Sequence, residues 1–338
     1  MCKFILTILF CFSVTLVGCQ NNSKSVLTML THDSFDIKQD ILDDFSKKNN
    51  LKVEIIKAGD ANQVLTRVLL NAGNPEADLI FGIDNIAYKR IEKIDELFIP
   101  HELEITDIIS RNILNEFNDH SYLVPIDYGF VNINYDQALY NINPPASYDD
   151  LILNKWNGKF IVLDPSMSSP GLQFLISTIL HFGEDRWQDY WKALKKNDVL
   201  IVDGWETGYY THFSHNGGNR PLVVSYTTSP AAEAFFGNLT DPPTKNIIPG
   251  KLFRQVESVG ILKGSRNIVN AKKFIKFMLS DKFQKQIPET MFVYPVRENL
   301  KLPIWWQHAP QITDISKIEF NNQDLQRWIV EWSKIMRY

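Results

Sequence analysis

Apolar and polar positions switch between two periods along this chain, and the switches outline a layered α/β protein. Residues 26–31 (Val-Leu-Thr-Met-Leu-Thr) form a short apolar and β-branched run that reads as a buried strand. Residues 37–49 then place Ile37, Ile41, Leu42 and Phe45 on one helical face. Residues 51–56 are again strand-like, 63–71 helical, and 77–82 a third strand. This β-α-β-α-β order predicts a parallel sheet covered by helices, with a ligand crevice beyond the carboxyl ends of the strands. Three loops then converge: His32-Asp33-Ser34, Gly59-Asp60 and Gly82-Ile83-Asp84-Asn85.

A second unit opens near Pro125-Ile126-Asp127-Tyr128-Gly129. Strands are predicted over 131–135, 159–163, 200–202 and 222–225, and helices over 147–153, 172–182 and 186–196. Residues 255–262 read as the strand returning to the first unit. Helices follow over 271–279, 282–287 and 323–336, the last carrying Leu325, Trp328, Ile329, Trp332 and Ile335 on one face. The expected division is lobe 1 from 26–128 and 262–338 and lobe 2 from 129–261, with a ligand cleft between them. Trp305-Trp306 are expected to pack the C-terminal segment against lobe 1.

The first residues carry a different pattern. Lys3 precedes an apolar run from Phe4 to Leu16 that ends in Leu16-Val17-Gly18-Cys19, the form of a bacterial lipoprotein signal. The run is too short for a membrane span. Cleavage before Cys19 is expected to remove 1–18 and leave 19–25 as a lipidated cysteine and polar linker. Acyl chains would then hold the body to a bacterial membrane, each buried methylene contributing about 0.8 kcal/mol. The body is expected in the periplasm or at the cell surface. All three cysteines, Cys2, Cys11 and Cys19, lie in this segment, so the body has neither a disulfide nor a thiol nucleophile. A hydrophobic content of 44% supplies a large core, and a net charge of -4 with lysines and acids interspersed excludes nucleic-acid binding.

Candidate chemistry sits in the loops. Ser168-Ser169-Pro170-Gly171 lies between a strand and a helix, where free N–H groups make either an anion site or an ordinary cap. Trp205 and Tyr226 each follow a strand, as platforms for a flat or cationic ligand or as packing residues. Asp33, Asp60 and Asp84 are turn residues or the counter-charges of a cation. Enzyme motifs are missing: there is no Gly-x-Ser-x-Gly elbow, and His212 and His215 stand at i and i+3 without a carboxylate motif. The reading is a binding protein with no catalytic residue, no metal and no cofactor.

Taken together, these strings resemble the thiamine-binding substrate-binding proteins of bacterial ABC importers. The likeness runs through Leu30-Thr31-His32-Asp33-Ser34-Phe35, residues 77–85, residues 125–129, Asp164-Pro165 with residues 168–172, Gly204-Trp205, Ser225-Tyr226-Thr227-Thr228-Ser229-Pro230, Gln255-Val256-Glu257 and Tyr294-Pro295-Val296. The resemblance implies a two-lobed type II periplasmic binding protein fold, each lobe a mixed, mostly parallel sheet flanked by helices. It also implies hinge closure over thiamine, its monophosphate or its diphosphate, and delivery to importer permease subunits by a monomer. Carried over by position, the ligand-binding set is His32, Asp33, Ser34, Asp60, Gly82, Asp84, Ser168, Ser169, Gly171, Trp205, Tyr226 and Phe292. Asp60 would lie near the cation, Ser168 at the hydroxyl or phosphate tail, and Trp205 and Tyr226 along the rings. Thiamine-degrading transferases share the fold but need a cysteine nucleophile, which this body lacks.

The chain departs from the family pattern at three aromatic positions, which carry His32, Ala232 and Phe292. A receptor for a polyamine or for ferric ion is the alternative that these departures leave open. Tyr209-Tyr210 is the pair an iron site would use, but it falls in a predicted helix.

Overall fold

A computed structural model describes residues 24–59, 61–117, 120–139, 143–313, 315 and 317–337. The expected signal segment, Cys19 and Asp60 lie outside the described residues. Strand β1 (Ser25–Thr31) pairs in parallel with β2 (Leu51–Lys57) on one side and β3 (Leu79–Asp84) on the other. All six residues of β3 are buried, which is why it reads as an unbroken apolar run. The helices Gln39–Asn49 and Ala61–Leu70 cover this sheet with Ile41, Leu42 and Phe45, and with Val64, Leu65 and Val68. A short β4 (Phe98–Ile99) precedes the long strand β5 (Leu123–Asp136).

The second lobe is built from β6 (Phe160–Leu163), β7 (Leu200–Val202), β8 (Leu222–Tyr226) and β9 (Thr244–Ile247). The chain returns through β10 (Arg254–Leu262), and β11 (Tyr294–Pro295) adds a short edge to β5. The sheet path is β2-β1-β3-β10-β5-β8-β6-β7, parallel within each lobe's β-α-β units and antiparallel where β10 and β5 join them.

Two large apolar clusters define the lobes. In β5, Val124 and Ile126 belong to the first cluster and Val131 and Ile133 to the second, so this strand carries the chain across. The return runs from Phe253 in the second cluster to Val256 in the first.

The C-terminal part differs from the expected division. Leu325, Trp328, Trp332 and Met336 of the helix Asn322–Arg337 belong to the second cluster, with Trp332 meeting Trp191 edge-on at 5.6 Å. The apolar stripe of this helix matches the Trp187, Trp191 and Leu194 stripe of the helix Trp187–Lys196, and Trp328 Nε1 donates to Glu184 at 2.9 Å. The segment therefore docks on lobe 2 instead of lobe 1. Trp305 and Trp306 differ likewise: Trp306 packs with Phe130, Ala231 and Tyr294, and Trp305 lies 4.9 Å from Phe235 of the helix Ser229–Gly237. The helix predicted over 282–287 is two short helices, Asp281–Gln284 and Ile287–Thr290, the second opening at Pro288.

Among the described residues, no helix is long and apolar enough to cross a membrane.

Candidate functional site

Where β3, β10 and β5 lie side by side, three acids share one rung of the ladder. Glu257 on β10 is in register with Asp84 on β3 and with Asp127 on β5. Residues directly opposite in a sheet project to the same face, so the three carboxyl groups converge. Both ladders are irregular next to Glu257, shifting between Ser258 and Val259 on one side and between Glu257 and Ser258 on the other. Such bulges re-aim side chains locally. Asp84 and Asp127 are buried, Asp127 completely, while Glu257 between them keeps a little exposure.

His32 reaches the rung from the end of β1. Its Nε2 lies 3.4 Å from Glu257 Oε1, an ion-pair contact without the alignment of a hydrogen bond. Its ring tilts against Phe81 at 5.5 Å. Gly82 is required beneath it: its φ of +98° is one that L side chains rarely adopt, and a Cβ there would stand 2.3 Å from His32 Cδ2. Gly82 thus seats the histidine.

Each acid has a different status. Asp84 Oδ1 accepts the N–H groups of Ile86 (3.0 Å) and Ala87 (2.6 Å), capping the turn that follows, and Oδ2 accepts from Gln255 Nε2. Burial still pushes its pKa up to about 6, against these hydrogen bonds. Asp127 has no hydrogen-bond donor at either oxygen and faces Glu257, and burial followed by Glu257's charge raises it well above the carboxylate range. The two groups diverge, Asp127 favouring its neutral form and Glu257 its charged form. Glu257 is itself held below its ordinary value, because His32 and the Asp127 hydroxyl outweigh the effect of burial. Burial lowers the His32 pKa, but Glu257, Asp84 and Asp33 together raise it above 6.5.

The second lobe closes the other side. Gln173, in the helix Ser169–Phe182, donates to Gln255 Oε1, so a relay Gln173–Gln255–Asp84 joins the lobes. The Tyr226 hydroxyl lies in the field of Glu257, Asp84 and Asp127, which adds to burial in raising its pKa. Trp205 stacks on Tyr209 at 4.9 Å and donates from Nε1 to Ser225 Oγ at 2.7 Å, beside Tyr226 on β8. Phe292 has a left-handed φ of +55° and meets Phe236 at 5.0 Å and Phe235 at 5.9 Å.

His32, Gly82 and Asp84 of the expected set thus meet at the rung, and Tyr226 lies within its field. Ser168 serves as helix cap, its Oγ accepting from Gly171 N at 3.2 Å, and Ser169 is half-buried in the first helical turn. Gly171 lets that helix approach β6, since a Cβ would stand 2.7 Å from the Leu163 carbonyl oxygen. Asp33 and Ser34 are exposed, and Asp33 ties its loop to Gly59 through a pair of hydrogen bonds. Ala232 lies half-buried on the helix Ser229–Gly237. Asp127, Glu257, Gln255 and Gln173 were not among the expected residues. An acid inside an otherwise apolar strand, as in Pro125-Ile126-Asp127 and Val256-Glu257-Ser258-Val259, is the signal that points to them.

A family model for bacterial extracellular solute-binding proteins matches residues 40–314. The chain belongs to that family. A thiamine-binding periplasmic protein of Escherichia coli K12 is 29% identical over 320 residues, covering 92% of this chain and 94% of the relative. A solved periplasmic thiamin binding protein superposes with a TM-score of 0.76 at 26% identity, covering 93% of this chain and 96% of the other. A ferric binding protein from Campylobacter jejuni shares the fold, with a TM-score of 0.71 at 19% identity, covering 92% and 98%. The two-lobed type II periplasmic binding fold expected from the sequence is the one observed. In this chain the acid rung stands where β5 and β10 join the lobes, with the Phe81 ring against His32 beside it. These relatives are named as solute-binding proteins.

Proposed function

We propose that this solute-binding protein is the receptor of an ABC importer and captures thiamine or one of its phosphates for delivery to the permease. The observation that carries this reading is the combination of buried acids and rings: Glu257 with Asp127 offers negative charge to a cation, and Trp205, Tyr226 and Phe292 offer faces for flat rings. The names of the E. coli relative and of the matched solved structure support the same ligand class. In this reading the helix start capped by Ser168 would receive the ligand's hydroxyl or phosphate tail once the cap bond opens. Cleavage before Cys19 and lipidation would hold the monomeric receptor at a bacterial membrane.

An iron receptor finds less support. The hydroxyl of Tyr209 is bound to Glu233 and its ring is stacked under Trp205, so the tyrosine pair does not present two ligands to one ion.

Titration calorimetry with thiamine, its monophosphate and its diphosphate tests the reading, with spermidine, putrescine and ferric citrate as competitors. One-to-one binding of a thiamine compound that weakens tenfold or more in Trp205→Ala is expected. Silence with all three, or preference for a polyamine or iron, refutes it.

A further inference from the structure

His32 is the group in the site that the proposed function does not use. It lies 3.4 Å from Glu257, the charge that the proposed cation would meet, and its imidazole can itself carry a proton. The groups acting on it come from several elements: Glu257 from β10, Asp84 and the Phe81 ring from β3, and Asp33 from its own loop, while Asp127 on β5 and the Tyr226 hydroxyl on β8 act on Glu257 and share its field. The charged groups that act most strongly on it are all acids. Asp127 contributes a second, independent observation: a fully buried carboxyl with no donor at either oxygen, opposite Glu257.

We infer that His32 is a built-in cation which a cationic ligand displaces from Glu257, so that capture of the ligand releases a proton and affinity falls as the surroundings turn acid. This rests on the proposed cationic ligand. The balance is simple. Before binding, Glu257 carries one negative charge, offset by the imidazolium of His32. A fixed positive charge placed against Glu257 makes two cations compete for one carboxylate in a low-dielectric site, where like charges close together cannot both persist. The thiazolium cannot lose its charge. The imidazolium can, and its Nε2 proton passes to solvent, leaving a neutral ring to lie against the ligand. The absent Cβ at Gly82 leaves the space that the ring occupies.

The test is calorimetry of the full chain with thiamine, whose thiazolium charge is fixed, from about pH 6 to pH 8.5 in buffers of differing ionisation enthalpy. The expected result is release of about one proton per ligand on the acid side and an affinity that drops by up to tenfold per pH unit there, with both effects lost in His32→Gln. Binding of thiamine with no proton uptake or release and a flat affinity overturns this inference and leaves the receptor reading standing. Absence of thiamine binding at every pH overturns both. A ligand-free measurement adds a separate check: in the NMR titration of the full chain, His32 should titrate above the ordinary histidine value and fall back in Glu257→Gln. A His32 that titrates below that value overturns the inference whatever the ligand.

Discussion

Replacing Gly82 with alanine separates a glycine that seats His32 from one that touches the ligand. The backbone at φ +98° is one that residues with a Cβ rarely adopt, at a cost of about 1–3 kcal/mol. The added methyl would stand 2.3 Å from His32 Cδ2 and 3.1 Å from Nε2, so the ring must leave its position against Glu257. Breaking a buried ion pair from one side costs about 3–5 kcal/mol, because the partner is left charged and unpaired. Proton uptake by Glu257 and partial movement of the ring reduce that figure. We therefore expect Gly82→Ala to lower the unfolding free energy by about 3–5 kcal/mol, against the 5–15 kcal/mol typical of a domain.

The steric part must vanish once the ring is gone. In a His32→Ala background, Gly82→Ala should cost only the backbone term, about 1–3 kcal/mol. Urea denaturation of the four proteins of the double-mutant cycle, at pH 6 where His32 is charged, measures the difference. A coupling between the two sites of about 1–3 kcal/mol is expected. If Gly82→Ala costs the same with and without the imidazole, the seating argument is wrong and the glycine serves something else.

Two further outcomes follow from the packing and the charges. Trp332→Ala removes a fully buried ring stacked edge-on against Trp191 and should destabilise the protein by about 3–5 kcal/mol in urea, whereas a C-terminal helix loosely placed on lobe 1 would lose less than about 1 kcal/mol. Asp84 binds its proton more tightly folded (about 6) than unfolded (3.8), so its contribution to stability is fully present below 3.8 and is lost as pH rises through 6. That shift corresponds to about 3 kcal/mol. His32, also raised, acts in the same direction at higher pH, its contribution complete below 6.5 and lost above its folded value. Denaturation midpoints should therefore decline from pH 4 to pH 8, and Asp84→Asn should flatten the lower half of that decline; an unchanged slope would remove Asp84 as its source.

The sequence pattern disclosed most of the fold because each element buries a face whose period is visible locally. β1 to β3 and their two helices fall within a few residues of the predicted spans, since Leu27, Met29 and Leu30 or Ile41, Leu42 and Phe45 declare their faces within one short window. The partner of a face is not declared. The stripe of Leu325, Trp328 and Trp332 says that the last helix is buried, but only the tertiary structure brings it against Trp191 in lobe 2. The rung was hidden for a similar reason. Asp84, Asp127 and Glu257 come from three distant segments and meet through strand register and two bulges, neither of which is written in the local pattern. The motif strings contain all three acids without marking them as neighbours. Ser168 and Gly171 shape a helix start, and Gly82 makes room for a ring.

This arrangement gives a physical link between charge and closure. Asp84 is held near a pKa of 6 by burial, and its Oδ2 depends on Gln255, which is positioned by Gln173 of the other lobe. In the hinge opening that the family resemblance implies, that relay would break and water would reach the rung. Asp84 and the Asp127–Glu257 pair then return toward ordinary carboxylate values and become more negative, because the desolvation that favoured their neutral forms is gone. An open receptor thus presents its strongest attraction for a cation at the moment a ligand can enter. Closing again without one buries that charge, unless protons are taken up or His32 supplies the counter-charge. A fixed organic cation offsets the same charge without a proton. Lobe closure is therefore favoured most where the cation fits between Glu257 and the rings, and a neutral solute of the same shape gains only the ring contacts, about 0.5–1.5 kcal/mol each.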